Sequence, residues 1–309
     1  MIPKALIEAC YRQLLGREPE DDHVLHAKMA LPTYDALLND FLNAPEYVRR
    51  FPPHLRSAYL AAPPKVEIDA STAQLQAMFQ RIRAEWSRLG DEDPYWSVLT
   101  DTAFRADRIE QDKLAAFFET GADSAAAVDA FAQRSGVSVR KGRCIEFGCG
   151  VGRVTGHLAR MFREVIAVDI SPRNLDLCSQ AMRDQGVDNV TPLLLSGPDE
   201  VELIPAADFL FSIIVLQHNP PPIQHYLLDV LLSKVLEGGG FLFQIPTATP
   251  GYAFSINEYL ASPAEGMELH DLPMTEVFKL LATHRATPLE VTLDGWTGLS
   301  GSHTFFGLK

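Results

Sequence analysis

The chain has 309 residues, which is long enough for one large domain or two modest ones, each with its own core. Apolar residues make up 47% of it and charged residues 22%, as is typical of a globular protein. The formal net charge is -13, from 40 acidic and 27 basic residues. Because no run of Lys or Arg interrupts this acidic balance, we expect no nucleic-acid partner.

The cysteines and the N-terminus indicate a reducing compartment. None of the four cysteines forms a CxxC pair, and Cys149 lies in a glycine loop where a disulfide would be awkward. The N-terminus reads as an amphipathic helix and not as a signal peptide, and the longest apolar run, Phe209 to Leu216, is too short to cross a bilayer. We therefore predict a cytoplasmic protein without a transmembrane segment. The pair His23-x-x-His26 lacks further ligands nearby, so we expect no metal.

Residues 1 to 64 are predicted to form a helical N-terminal module. Apolar residues recur at three- and four-residue spacing, and the stretch from Ala61 to Pro64 reads as a linker. Two motifs, Tyr11-Arg12-x-Leu14-Leu15-Gly16-Arg17-Glu18-Pro19 and Phe41-Leu42-x-x-Pro45-Glu46-Tyr47, resemble a small helical module fused to bacterial surface-glycan enzymes and to some secreted calcium-binding proteins. The Gly-x-x-x-Trp stretch usual in that module is absent. The resemblance implies a docking or solubilising role without chemistry.

Residues 65 to 138 are predicted to form a helical cap or lid. Leu75 to Trp86 carry an apolar stripe at helical spacing, a turn follows at Asp91 to Pro94, and helical spacing resumes at Leu114. Stripes of this kind are more often core than ligand contacts. Tyr95 and Trp96 come directly after the turn, and we assign them as candidate substrate contacts.

From residue 139 to 309 the pattern changes to strands that alternate with helices. Strands are predicted at Cys144 to Phe147, Val165 to Asp169, Val190 to Leu195, Asp208 to Leu216 and Phe241 to Ile245, with closing strands around Val291 and His303 to Phe306. The fourth of these is almost wholly apolar, as a strand buried on both faces should be. The pattern predicts an α/β fold: a Rossmann-like, doubly wound, mostly parallel sheet preceded by helical N-terminal segments.

The loop after the first strand has the form acidic-x-Gly-x-Gly-x-Gly, with Glu146 before Gly148, Gly150 and Gly152. Glycines let a backbone pass close to a ligand, and the next helix begins there with its free N–H groups. The dinucleotide fingerprint G-x-G-x-x-G fails, because Arg153 occupies its sixth position. An acid before the loop suits a ligand with a cationic amino-acid end and no pyrophosphate.

This pattern, together with Val168-Asp169-Ile170-Ser171 and Leu236-Glu237-Gly238-Gly239-Gly240, resembles class I methyltransferases of the bacterial small-molecule and glycan type. The resemblance implies S-adenosyl-L-methionine (SAM) as cofactor and S-adenosyl-L-homocysteine (SAH) as product. It implies that Glu146 faces the methionine amino group and Asp169 the ribose. It places the remaining cofactor contacts at the following residues: Gly148, Gly150, Gly152, Ile170, Ser196, Leu216 and Gln217. Ser196 stands where the family often has an acid for adenine, and Asp199 is an alternative.

The acceptor contacts are expected beyond the fourth and fifth strands. His218 follows the fourth strand, where it either takes a proton from the acceptor or orients the loop. The long segment from Thr247 to Leu272 leaves the same edge of the sheet, and within it we assign Tyr252 and His270 to the substrate.

The predicted function is methyl transfer from SAM to an oxygen or nitrogen of a small-molecule or glycan-type acceptor. One alternative is a non-catalytic protein with the SAM-binding fold that acts through its N-terminal helices, which the intact set of Glu146, glycines and Asp169 opposes. The other is a nicotinamide or nucleotide-sugar enzyme, which Arg153 at the sixth position opposes.

Overall fold

The computed structural model describes residues 2–50, 65–105, 109–264, 266–295 and 301–309. The predicted linker from Ala61 to Pro64 lies outside these described residues. The chain divides into two compact units, Met1–Pro63 and Pro64–Lys309. Among the helices that the structure describes, none is long and apolar enough to cross a membrane.

The first unit is helical where it is described. Its helices are α1 (Lys4–Cys10), which continues into a π-helical turn (Tyr11–Leu15), α2 (Asp22–Met29), α3 (Tyr34–Leu42) and α4 (Pro45–Arg50). Side-chain caps start two of them, since Asp21 accepts from a backbone N–H of α2 and Thr33 from one of α3. The core of this unit centres on Tyr11 and Phe41, whose rings meet edge to face at 4.9 Å.

The second unit begins with helices that precede the sheet. They are α5 (Thr72–Glu92), α6 (Pro94–Val98), a 3₁₀ turn (Thr102–Phe104), α7 (Gln111–Glu119) and α8 (Gly121–Arg134). A capping box starts α5, because the side chains of Ser71 and Gln74 each accept from the other's backbone N–H. Met78, Phe79 and Ile82 of α5 pack into the same apolar core as the strands, so this helix covers the sheet.

Seven strands form one sheet. They are β1 (Arg143–Phe147), β2 (Glu164–Asp169), β3 (Val190–Leu194), β4 (Ala207–Ser212), β5 (Val235–Pro246), β6 (Thr287–Leu293) and β7 (Ser302–Leu308), in the order β3-β2-β1-β4-β5-β7-β6. The first five strands are parallel, and β7 pairs antiparallel with β5 and β6. The predicted Rossmann-like, mostly parallel sheet is thereby confirmed.

Helices alternate with these strands. They are α9 (Thr155–Met161), α10 (Pro172–Asp184), α11 (Pro221–Lys234), α12 (Ile256–Ala261) and α13 (Met274–Thr283), with 3₁₀ turns at Pro198–Leu203 and Leu216–His218. Proline at the first turn of α10 and α11 suits those helix starts, where a backbone N–H has no helical partner.

The fourth strand differs from its predicted range, because it ends at Ser212 and not at Leu216. Ile214 has a φ of 58°, and a β-branched residue in this region cannot continue a strand. Its backbone N–H donates to Oε1 of Gln244 at 2.8 Å, so a buried side chain of β5 holds the bend. The strand therefore ends four residues earlier than the apolar run suggests.

Candidate active site

A cavity lies at the carboxyl ends of β1, β2 and β4, where parallel sheets of this kind bind their ligands. Its empty volume is about 990 Å³, which includes space open to solvent. Apolar side chains of α5 and of the strands form most of its wall. The polar side chains among the lining residues include Glu146, Arg153, Asp169 and Asn174.

Glu146 ends β1 and is 3% exposed. Burial raises the pKa of its carboxyl to about 8, although the Thr155 hydroxyl and the charge of Arg153 oppose this rise. Its Oε2 has no hydrogen-bond partner in the described part of the chain. A buried carboxylate oxygen without a partner is costly, and a cationic donor in the cavity would satisfy it.

Asp169 ends β2 and ties that strand to the glycine loop. Its Oδ2 accepts from the N–H of Gly150 at 2.8 Å, and its Oδ1 accepts from the N–H of Ser171 at 2.8 Å. Burial raises the pKa of Asp169, while these backbone N–H groups work in the opposite direction. A carboxylate offers about four lone-pair sites, so beside the N–H groups of Ser171, Gly150 and Ile170 the side chain can still accept a hydroxyl group from a ligand.

The glycine loop follows a path that other residues cannot take. Gly148 has a φ of 79°, and a Cβ there would lie 2.3 Å from the side chain of Val215. Gly150 has a φ of 55°, and a Cβ there would lie 2.6 Å from Val98. The loop is therefore wedged between the end of β4 and helix α6, with its backbone forming the floor of the cavity.

Arg153 follows the loop and is 7% exposed. Its Nη1 donates to the carbonyl of Thr120 at 3.0 Å, which connects it to the start of α8. Its Nε has no partner in the described residues, and neither has Oδ1 of the buried Asn174. Burial lowers the pKa of Arg153, and the neighbouring Glu146 opposes that fall. The cavity thus holds unsatisfied polar atoms of both signs.

His218 lies on the far side of the same cavity, in the 3₁₀ turn after β4. Its Nδ1 lies 3.0 Å from the carbonyl of Glu268, and its Nε2 lies 3.1 Å from the amide nitrogen of Gln217. A carbonyl only accepts, so Nδ1 carries the proton, and the lone pair of Nε2 accepts the hydrogen bond from the Gln217 amide. Burial lowers the pKa of His218 to about 4, and the nearby His270 contributes to this fall.

One part of the chain is similar to a known protein family. Residues 144–240 match the family model of a methyltransferase domain. No curated protein sequence matches the chain.

Solved structures agree on the fold of this domain. Magnesium protoporphyrin IX methyltransferase from Synechocystis PCC 6803 with bound SAH is 16% identical, with 75% of this chain and 99% of that chain covered and a TM-score of 0.52. The same enzyme with bound SAM is 15% identical, with 77% of this chain and 100% of that chain covered and a TM-score of 0.51. The N-methyltransferase NodS from Bradyrhizobium japonicum WM9 is 14% identical, with 75% of this chain and 98% of that chain covered and a TM-score of 0.43. Residues 144–240 thus match a methyltransferase domain, and the solved magnesium protoporphyrin IX methyltransferase shares the fold of this chain.

The predicted cofactor residues of the methyltransferase domain fall into two groups. The first lines the cavity: Glu146, Gly148, Gly150, Asp169 and Ile170. The second is placed behind its wall: Gly152, Ser196, Leu216 and Gln217.

Each member of this second group is held by protein contacts. Gly152 packs against Cys178, and Leu216 is fully buried in the core. The backbone N–H of Ser196 donates to a carboxylate oxygen of Glu200 at 2.6 Å. Gln217 is 3% exposed and presents its amide to His218.

The predicted substrate residues lie outside this cavity, where each has a protein partner. Tyr95 packs edge to face on Phe117, and Trp96 lies under the guanidinium of Arg105. The hydroxyl of Tyr252 and Nδ1 of His270 are 2.9 Å apart. The neighbours of Tyr95 and Trp96 in sequence, Ser97 and Val98, do line the cavity.

Several lining residues were not assigned from the sequence. Phe79, Ile82 and Trp86 of α5 form one wall of the methyltransferase cavity, and Arg153 stands at its floor. The apolar stripe on α5 was visible in the sequence, but it does not reveal which face meets the ligand. Within the described residues, no group of three or more His, Cys, Asp or Glu side chains is arranged to hold a metal ion.

Proposed function

We propose that this chain transfers a methyl group from SAM to an oxygen or nitrogen of a small-molecule or glycan-type acceptor. The observation that carries the proposal is the unpartnered Oε2 of Glu146, buried at the carboxyl end of β1 in the cavity of a methyltransferase domain. The ammonium of an amino-acid end gives this oxygen a charged donor.

The polar groups of the cavity fit both ends of an amino-acid nucleoside. Arg153 is cationic, Glu146 becomes anionic when a cation binds beside it, and Nε of the first and Oε2 of the second lack partners in the described residues. An amino acid carries the complementary pair of charges, with its ammonium for Glu146 and its carboxylate for Arg153. Asp169 is proposed to accept the ribose hydroxyls, and the apolar side chains of Ile170 and Leu195 to face the adenine ring.

Two of the proposed cofactor contacts, Ser196 and Gln217, do not line the cavity. Because the N–H of Ser196 is taken by Glu200 and its carbonyl by the amide of Gln80, only the Ser196 hydroxyl is left for adenine. Gln217 is proposed to act on the ligand through His218, with which it shares a hydrogen bond.

The protein's part in the reaction is to align the acceptor and exclude water. SAM supplies a methyl group on a sulfonium that is already activated. Phe79, Ile82 and Trp86 exclude water from the cavity wall, which strengthens the electrostatic interactions inside it. His218 is proposed to take the acceptor proton at Nε2, since a pKa of about 4 keeps the imidazole neutral at physiological pH.

We further propose that residues 65–138 cap the methyltransferase domain of residues 139–309, and that residues 1–64 dock the enzyme to a partner. Tyr95, Trp96, Tyr252 and His270 are proposed to shape the acceptor site from behind its wall. The four cysteines are free thiols, which suits the proposed cytoplasmic location.

The test is titration calorimetry of the full chain with SAH and, separately, with NAD. We expect micromolar binding of SAH and no binding of NAD. A matched variant, Glu146→Gln, keeps the size of the side chain and removes the charge, so it should weaken SAH binding strongly. Binding of NAD without binding of SAH contradicts the proposal.

A further inference from the structure

A second, smaller cavity adjoins the first on the side of His218. The two cavities share Ile82, Trp86 and His218 as a common wall. The rings of Trp86 and His218 lie 4.9 Å apart, centroid to centroid. Arg81 and Glu85 of α5 also line the second cavity, together with Tyr259, Ala264, Gly266 and Glu268. These last four belong to residues 259–264 and 266–268, which we call the strap.

Arg81 fastens the strap to α5. Its Nη1 donates to the carbonyls of Tyr259 and Ser262, the second at 2.7 Å. Its Nη2 donates to the carbonyl of Pro263 at 2.9 Å and to Oε1 of Glu268 at 2.6 Å. The guanidinium also lies 4.0 Å above the ring of Tyr259. All four N–H groups of the two terminal nitrogens therefore have acceptors on the strap.

The strap in turn sets the state of His218. Glu268 binds Arg81 with its side chain and accepts from Nδ1 of His218 with its backbone carbonyl, at 3.0 Å. Because a carbonyl has no proton to give, this contact selects the neutral tautomer with the proton on Nδ1. The amide nitrogen of Gln217, 3.1 Å from Nε2, donates to its lone pair and favours the same tautomer from the other side of the ring. The lone pair of Nε2 is thereby kept free of a proton on the ring that separates the two cavities.

We propose that Arg81 is a positioning residue, which holds the strap so that the Glu268 carbonyl fixes His218 in the Nδ1–H tautomer. This inference rests on the proposed function of the site, because the tautomer matters where His218 meets the acceptor. Arginine suits the role, since it offers a rigid planar fork to four separate oxygens, whereas lysine offers three donors on one nitrogen.

The test reads the His218 ring directly and needs no acceptor. Long-range proton–nitrogen correlation spectra of the full chain report which ring nitrogen carries the proton, and the His218→Gln variant assigns the signal. Arg81→Met keeps the apolar stem and removes the donors. Arg88→Met is the matched control, because Arg88 lies on the same helix and pairs only with Glu85 and Glu92 among the described residues.

We expect the wild type and the Arg88 control to show the Nδ1–H tautomer alone, and Arg81→Met to show exchange between both tautomers. Arg81→Lys should resemble Arg81→Met. Cleavage within the strap by a protease should become about 10- to 100-fold faster in Arg81→Met, because charge-assisted hydrogen bonds that oppose local opening are lost. Affinity for SAH should not change, since Arg81 does not line the first cavity.

An unchanged tautomer in a folded Arg81→Met protein overturns the inference. If that variant does not fold, Glu268→Gln decides, because it weakens the link to Arg81 and leaves the backbone carbonyl in place. Exchange between tautomers then supports the inference, and a single Nδ1–H form overturns it. A wild type that fails to bind SAH contradicts the proposed function, whereas the tautomer of His218 is still read in the same spectra.

Discussion

Replacement of Glu146 by glutamine should stabilise the protein and weaken its binding of SAH at the same time. The carboxyl is buried, its Oε2 has no partner in the described residues, and its pKa is raised from the ordinary 4.5 to about 8. The folded chain therefore holds a proton that the unfolded chain releases. Stability contributed by this group is complete below pH 4.5 and is lost as the pH rises through 8.

The magnitude follows from the same two pKa values. Each unit of difference between the folded and unfolded pKa corresponds to about 1.4 kcal/mol. The difference between 4.5 and 8 therefore lowers the free energy of unfolding by about 5 kcal/mol in alkaline solution and by about 3 kcal/mol at pH 7. Glutamine does not titrate, so the variant should gain about 2–4 kcal/mol over the wild type near neutral pH. For a unit of this size that corresponds to a rise in Tm of roughly 4–15 °C.

Binding should change in the opposite direction. An ammonium beside Glu146 favours the charged carboxylate, so wild-type protein should release a proton on binding SAH below pH 8. Its affinity should accordingly rise between pH 6 and 8. Loss of a charged hydrogen bond in Glu146→Gln should cost about 1.5–3 kcal/mol, or roughly 10- to 100-fold in Kd.

The assay is thermal unfolding at pH 5 and pH 7.5, with and without SAH, plus calorimetry in two buffers of different ionisation enthalpy. Glu164→Gln is the matched control, because Glu164 lies at the opposite end of the neighbouring strand, in a partly exposed pair with Arg143. A variant less stable than the wild type at pH 7.5 would refute the reasoning on burial. Unchanged SAH affinity would refute the assignment of the amino-acid end.

Three further predictions test other parts of the site. Asp169→Ala should cost about 2–4 kcal/mol of SAH affinity by calorimetry, and it should also lower the Tm, since two backbone N–H groups lose their acceptor; normal affinity contradicts the ribose assignment. His218→Asn should lower turnover by about 10²-fold, at the weak end of the range for a general base. The wild-type rate should fall on the acid side near pH 4 and not near 6.5. A fully active variant contradicts the role of His218 as general base. A chain starting at Lys65 should fold and bind SAH in calorimetry, because the second unit is compact by itself; an insoluble product contradicts this.

The alternation of strands and helices, and the placement of Glu146 and Asp169 at one edge of the sheet, were predictable from sequence because they depend on local patterns. Short apolar runs that alternate with helical periods specify a parallel sheet, and the carboxyl ends of such strands meet at one edge. Glu146 and Asp169 end neighbouring strands, so their presence in one cavity followed from the strand positions alone.

The rest of the site depends on contacts between distant parts of the chain. Trp86 reaches the cavity because α5 packs across the sheet, which its apolar stripe does not specify. Arg153 was read only as a break in the dinucleotide fingerprint, whereas its burial against the start of α8 makes it a charged group of the cavity. The bend at Ile214 was hidden within an apolar run, since periodicity reports burial and not φ.

This bend shows why the site extends beyond residues 144–240. A non-glycine residue with positive φ costs on the order of 1–3 kcal/mol and persists only where its surroundings hold it. Ile214 is held by Gln244 of β5, whose amide nitrogen donates in turn to the hydroxyl of Ser302 in β7 at 2.7 Å. Both polar side chains are fully buried, so replacing either one leaves an unsatisfied group in the core. The antiparallel pairing of β5 with β7 therefore does more than close the sheet, because it fixes the loop that carries Ile214 and Val215 into the cavity.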